Sequence, residues 1–385
     1  MILSEKNCVN LALFALFIKM LISPWTTGSY EQEGMKLLNY ACDGLILLTI
    51  LAYIPYVLKL FSFVYLVFFI LLLSLVTSTL IYTDGSVFDA VNSHLRVYSP
   101  FLFFTMLASY FSKAPRFAVS ISIKFCVFTV ILLIVGLMFL PSSENRLELW
   151  WPAYFGSIHT TSFMAMSVFF ISFALLMVGE VKKNTLLFIG VVVLYCVFWG
   201  WGVRTVSGAI LILLGVFYLN KIRFNSNQGL LRVVAISILL IFSFMIVFIF
   251  DFRTFDNFTS GRISMYGVKL DQLSNNTFFN WLLGNGAGSD LIMTDFWWWA
   301  AKGAHSDFIT FLVEGGLIYF GLTSYTVIKF YKLLNRSEGK LLLISFIFTS
   351  LISNGYLVRP LPSYLFFFSL AIVYAFYNKR DMNER

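Results

Sequence analysis

Charge is what this 385-residue chain has least of. Only 12% of its residues are charged, while 59% are apolar and mean hydropathy is +0.84. An ordinary soluble domain is about a quarter charged, so the balance excludes that class and points to an integral membrane protein. Cysteine is also scarce. The four residues Cys8, Cys42, Cys126 and Cys196 are scattered through apolar spans without a CxxC pair, which excludes a disulfide framework and a zinc site. No basic patch interleaved with aromatics is present, so nucleic acid is excluded as a partner. The first apolar span, Cys8 to about Ser23, lacks a small-residue cleavage pattern after it and is expected to be a retained helix. Internal repeats and matched Gly/Pro-broken helices are missing too, which counts against a secondary transporter.

What is present is a succession of apolar runs of about 20 residues, the length a helix needs to cross a bilayer. They predict about twelve helices, centred near Ala15, Leu48, Leu71, Met106, Thr129, Val168, Val192, Ile212, Leu240, Ile318, Phe346 and Phe368. The expected fold is all-α: one polytopic transmembrane domain over 1–385, with one long loop at roughly 251–304 that carries short helices. Lysine and arginine gather on alternate connections, at Lys113/Arg116, Lys182/Lys183, Lys221/Arg223/Arg232, Lys329/Lys332/Arg336/Lys340 and Lys379/Arg380/Arg385. The other set is acidic or mixed, at Glu31/Glu33, Asp84/Asp89, Glu144/Glu148 and the long loop. The positive-inside rule then puts both termini in the cytoplasm and the loop outside, and the net charge of +8 is that bias. Lys19 and Lys124 fall inside spans near helix ends, where snorkelling to the interface is expected.

Arginine breaks the pattern. The outward face holds Arg96, Arg146, Arg204, Arg253, Arg262 and Arg359, although basic residues normally avoid it. A guanidinium offers a fixed fork of donors to multi-oxygen anions, so these positions suggest anion recognition. Lipid headgroup contact is the expectation for Arg96 and Arg253. Arg204, at the tight turn Val203-Arg204-Thr205-Val206-Ser207-Gly208-Ala209, is an anion-binding candidate. His94, His159 and His305 fall on the same face, but no pair has ligand spacing on one helix, so no metal or other cofactor is expected. The run Gly284/Gly286/Gly288 follows no strand of a βαβ unit and reads as a turn. Trp297, Trp298 and Trp299 read as an interfacial aromatic belt, with a sugar-stacking platform as the alternative.

Three segments together resemble a known family. The long loop opens with Gly261-Arg262, passes through Leu282-Leu283-Gly284-Asn285-Gly286-Ala287-Gly288, and closes with His305-Ser306-Asp307 before an apolar helix carrying Glu314-Gly315-Gly316. Gly156-Ser157-Ile158-His159 leads into the sixth span, and Thr205-Val206-Ser207-Gly208 starts a further helix. This pattern resembles the bacterial O-antigen polymerase (Wzy) family within the O-antigen polymerase and ligase superfamily. One departure stands out: Ser207 is followed by Gly208, and the arginine comes earlier, at 204.

The resemblance implies a GT-C-like glycosyltransferase in the bacterial inner membrane, with its active site facing the periplasm. Its substrates would be oligosaccharide repeat units on undecaprenyl pyrophosphate, and its surroundings membrane lipids and a chain-length-regulating membrane protein. The implied reaction is inverting and metal-independent. Arg262 and Arg204 would hold the departing diphosphate and His305 would be the base, with Glu314 as rival base. Asp307, Glu314, His159, Arg146, Arg359 and Gly286 complete the expected substrate-binding set. Asp307 would orient the imidazole if His305 still lies in the loop. The polymerase is preferred to the ligase on His305-Ser306-Asp307, where ligases more often show His-Asn. A lipid-linked oligosaccharide flippase is the alternative of another class.

Overall fold

The computed structural model describes residues 4–26, 31–145, 148–221, 261–294, 297–334 and 337–383. Helices dominate because a backbone in apolar surroundings must satisfy its own N–H and C=O groups. Among the described residues, seven helices are long and apolar enough to cross a membrane. The chain is therefore an all-α membrane protein.

Helix α1 (Glu5–Ile22) begins at the Ser4 cap and lies against α2 (Glu33–Tyr82). The two spans expected at Leu48 and Leu71 are both inside α2, which is 50 residues long and breaks at Phe61 (φ −127°, ψ 22°). Lys19 pairs with Asp43 near one end of α1, and the Tyr53 hydroxyl donates to Glu5 at the other, 2.9 Å away. After the break the Tyr65 hydroxyl meets Thr105 of α3 (Val87–Lys113) at 3.0 Å. The snorkelling expected of Lys19 is thus replaced by an ion pair between the buried Lys19 and the partly exposed Asp43, because Asp43 of α2 offers a nearer counter-charge than solvent. Lys124, on α4 (Pro115–Phe139), is exposed.

Three helices form the centre. In α3 every residue from Val97 to Ala108 is buried; α5 (Ile158–Val178) and α12 (Pro360–Asn383) are enclosed almost as fully. Near its start α3 carries Asp89 and Arg96, which are exposed, and His94, which is buried. Outside them, α4 and α6 (Lys183–Tyr195, extended by a π turn over Cys196–Gly200) expose large apolar side chains, as lipid-facing helices do. A hairpin of β1 (Ser143–Asn145) and β2 (Glu148–Trp150) follows α4, and Trp151 N–H donates to Gly200 at the end of α6. Helices α7 (Arg204–Lys221), α10 (Asp307–Leu333) and α11 (Ser337–Ile352) complete the bundle. The span expected at Leu240 lies outside the described residues, as do Arg223, Arg232 and Arg253.

Between α7 and α10 the described part of the long loop contains α8 (Arg262–Ser274), α9 (Phe278–Leu283) and an antiparallel hairpin of β3 (Ile292–Thr294) and β4 (Trp297–Lys302). A glycine contact fastens it to the bundle. Helix α10 is broken at Gly316 (φ 66°), and Gly284 (φ 81°) crosses it there, backbone against backbone. Asn285 N–H donates to Val313 at 2.8 Å, and Ala287 N–H to the Thr79 hydroxyl at 2.9 Å. A side chain at Gly284 would collide with the Glu314 carbonyl and strain a left-handed backbone. Gly284→Ala should therefore lower stability by about 2–4 kcal/mol. Gly267→Ala on α8, with open space around it, should be neutral or stabilising by up to about 1 kcal/mol. Thermal unfolding in detergent checks both.

Candidate functional site

Helices α5, α7, α8, α10 and α12 all begin at one end of the bundle, and side chains from their first turns hold them together. Arg262, the first residue of α8, donates from Nη1 to the Thr205 hydroxyl (3.2 Å) and to the Ile352 carbonyl (2.7 Å). It thereby joins the starts of α7 and α8 to the end of α11. Arg359, just before α12, donates from Nε to the Asn354 carbonyl (2.9 Å) and from Nη1 to the Thr160 hydroxyl (3.2 Å). Its guanidinium lies 5.4 Å from the ring centre of Phe163 on α5. His159, in the first turn after the Ser157 cap, lies within electrostatic reach of Arg359, Arg262 and His305, and its Nδ1 is buried without a hydrogen-bond partner among the described residues. Arg204, the first residue of α7, is within electrostatic reach of Arg262.

His305 occupies the turn between β4 and α10. Its backbone is left-handed (φ 53°), unusual outside glycine, so the turn is held by its surroundings. Burial and the cations Arg262, Lys302 and Arg359 pull its pKa down to about 4, opposed by Asp290. Its imidazole is therefore neutral at pH 7 and able to accept a proton. Burial also lowers Arg262, helped by Arg204 and opposed by Tyr266. Arg359 falls to about 10 through burial, opposed by Asp307 and aided by Arg96 and Arg262, and still carries its charge at neutral pH. Positive charge thus accumulates where helix N-termini present their own unpaired N–H groups, an arrangement that favours an anion.

Some expected members lie elsewhere. The Asp307 carboxylate accepts from the N–H groups of Gly355 (3.0 and 3.1 Å) and Leu357 (3.2 Å) and fixes the turn before Arg359. The first turn of α10 faces that chain segment, which explains the difference. Glu314 is under the glycine loop, where Gly288 N–H donates to Oε1 at 3.0 Å, and its charged neighbours are Asp290 and Lys269. The N–H of Gly286 donates to the Glu314 carbonyl at 2.9 Å, so it is not a donor for substrate. His94 is in the core, stacked on Tyr98 with Nδ1 3.1 Å from the Tyr319 hydroxyl. Arg146 lies outside the described residues, as do the side chains of Trp297, Trp298 and Trp299.

Lys302, Tyr266, Lys269 and Asp290 also belong to this region, through contacts made by the fold. Lys269 had a signal, since Met265, Lys269 and Leu273 share the buried face of α8 and a lysine there requires a partner. Compared with family models, with curated proteins and with solved structures, the chain matches none.

Asp307→Ala removes the acceptor of two buried N–H groups. It should cost about 2–5 kcal/mol and speed amide exchange across 353–358. Lost activity with unchanged stability and exchange would instead favour an orienting role.

Proposed function

We propose that this chain is a surface-polysaccharide polymerase of the O-antigen type, a glycosyltransferase that moves a growing glycan from a polyprenyl diphosphate onto a new lipid-linked repeat unit. The observation that carries the reading is the cationic cluster: Arg204, Arg262 and Arg359 meet His159 and His305 at one end of the bundle, where five helices start. The opposite end carries the lysines of the short connections, among them Lys113, Lys182, Lys183, Lys332 and Lys340. The positive-inside rule favours that end as the cytoplasmic one, which supports reading the cluster as facing the outside of a bacterial inner membrane.

The chemistry follows from the residue types. The hydroxyl oxygen of the acceptor sugar attacks the anomeric carbon of the donor, and its proton passes to the neutral His305 imidazole. The bond from that carbon to the diphosphate oxygen breaks, and the diphosphate leaves with the electron pair. Attack opposite the leaving group inverts the anomeric centre. Charge builds on the diphosphate, so the required catalyst is preorganised positive charge: Arg262 as the main ligand, Arg204 and Arg359 beside it. Each such donor is worth about 3–4 kcal/mol. Bound diphosphate also offsets the cations that depress His305 and raises its basicity towards working pH, as a general base requires.

His305→Asn keeps a residue type tolerant of the left-handed turn but removes the base. It should lower turnover about 10²–10⁴-fold. Arg262→Gln should lower it about 10²–10³-fold. Gel profiles of surface polysaccharide should lose long chains in both, at normal protein levels. A deletion strain should keep a single repeat unit on its lipid core. Bare core would make the chain the ligase, and full-length polymer from His305→Asn would sink the assignment.

The pH profile gives an independent check. Because burial and the neighbouring cations hold His305 below its ordinary range, the acidic limb of kcat/KM should lie well below pH 6.5. Lys302→Gln removes one of those cations and should move the limb upward; a limb that stays in place would remove His305 as the titrating base.

A further inference from the structure

A second charged cluster lies under the site, and the reaction above does not use it. Lys269 on α8 is fully buried, and its ammonium forms an ion pair of 3.0 Å with Asp290 Oδ1. The same ammonium donates to the Asp290 backbone carbonyl and to Gln272 Oε1 at 3.4 Å. Gln272 in turn donates to the Ser289 carbonyl at 3.0 Å, so one face of α8 grips residues 289 and 290.

The other carboxylate oxygen of Asp290 points towards the histidine. Oδ2 accepts from Ala304 N–H at 2.8 Å and from the Thr310 hydroxyl at 2.7 Å. These donors flank His305, one residue before it and five after it. Gly303 completes the fit, since a Cβ there would come within 2.6 Å of Oδ2. One carboxylate therefore clamps both ends of the segment that holds His305 in its left-handed conformation.

The clamp reaches further than the histidine. Arg262 and Lys269 are on the same helix, about two turns apart. The path Arg262–α8–Lys269–Asp290–Ala304–His305 is thus a continuous chain of covalent, ionic and hydrogen bonds from the anion-binding arginine to the imidazole. A buried ion pair is a poor source of stability, because desolvation offsets its attraction. It does fix geometry, and a displacement of about 1 Å at a reacting group can lower a rate about 10²-fold.

We propose that Asp290, anchored by Lys269, is a positioning residue that holds His305 at a fixed distance from Arg262, so that one substrate is gripped and deprotonated together. This rests on the polymerase reading for its consequence in turnover, but not for its geometry.

The test compares two charge-neutral pairs in purified full-length protein, which lose the same two charges and differ only at the group facing Ala304 and Thr310. Lys269→Met with Asp290→Asn keeps a carbonyl oxygen facing Ala304 and Thr310; Lys269→Met with Asp290→Leu keeps none. Amide exchange of the 303–306 segment reads the clamp without reference to activity. It should stay within about threefold of wild type in the first pair and rise at least about tenfold in the second. With a lipid-linked repeat unit as substrate, kcat should fall about 100-fold further in the second pair than in the first, with KM within about twofold. Equal exchange and equal kcat in the two pairs would overturn the proposal. Faster exchange in the second pair, with a wild-type protein that makes no polymer, would uphold the clamp and overturn the polymerase reading instead. Should the leucine pair fail to fold, Gly303→Ala, which crowds the same oxygen, replaces it with the same expected results.

Discussion

A helix leaves its first N–H groups without partners inside the helix, and everything at the functional end of this protein follows from starting five helices in one place. Their dipoles add positive field there, and Arg262 and Arg359 add charge to it. Both arginines are tied down by neutral oxygens: the Thr205 and Thr160 hydroxyls and the Ile352 and Asn354 carbonyls. Such acceptors fix a guanidinium without cancelling its charge. The carboxylates nearby, Asp307 and Asp290, are turned to backbone N–H groups, a hydroxyl and Lys269. The cluster keeps a net positive charge beside helix N-termini, the condition that favours an anion.

The neutral His305 belongs to the same balance. Burial already lowers the pKa of this imidazole, and the arginines lower it further. A bound diphosphate would relax that pressure, so the anion that completes the arginine site also tunes the base. In the proposed reaction, binding and deprotonation would be coupled through charge, and the link from Lys269 to Asp290 would couple them through geometry.

How much of this was legible in the sequence depends on the range of the interaction. The spans were readable because an apolar run of bilayer length is a local property. The bend of α2 at Phe61 was not, since no glycine or proline marks that residue; nor was the pairing of Lys19 with Asp43, which depends on how two helices pack. Arg262, Arg204, Arg359, His159 and His305 were found by residue type against a depleted background, and the structure brings them together. The hydrogen-bond partners of Asp307 and Glu314 were not legible, because a side chain points wherever its neighbours provide donors. For Asp307 these are Gly355 and Leu357, and for Glu314 Gly288. Sequence distance hides such partners. Lys269 and Asp290 were invisible for the same reason, although a lysine on the buried stripe of α8 advertised that a partner existed.

The central claim is that the cationic cluster binds a lipid diphosphate. The direct measurement is equilibrium binding of a polyprenyl diphosphate and the matching monophosphate to the protein in nanodiscs, for wild type and for Arg262→Gln with Arg359→Gln. The account predicts at least about tenfold tighter binding of the diphosphate by wild type, and loss of that preference in the double variant. Equal affinity for the two lipids in wild type, or an undiminished preference in the variant, would contradict it.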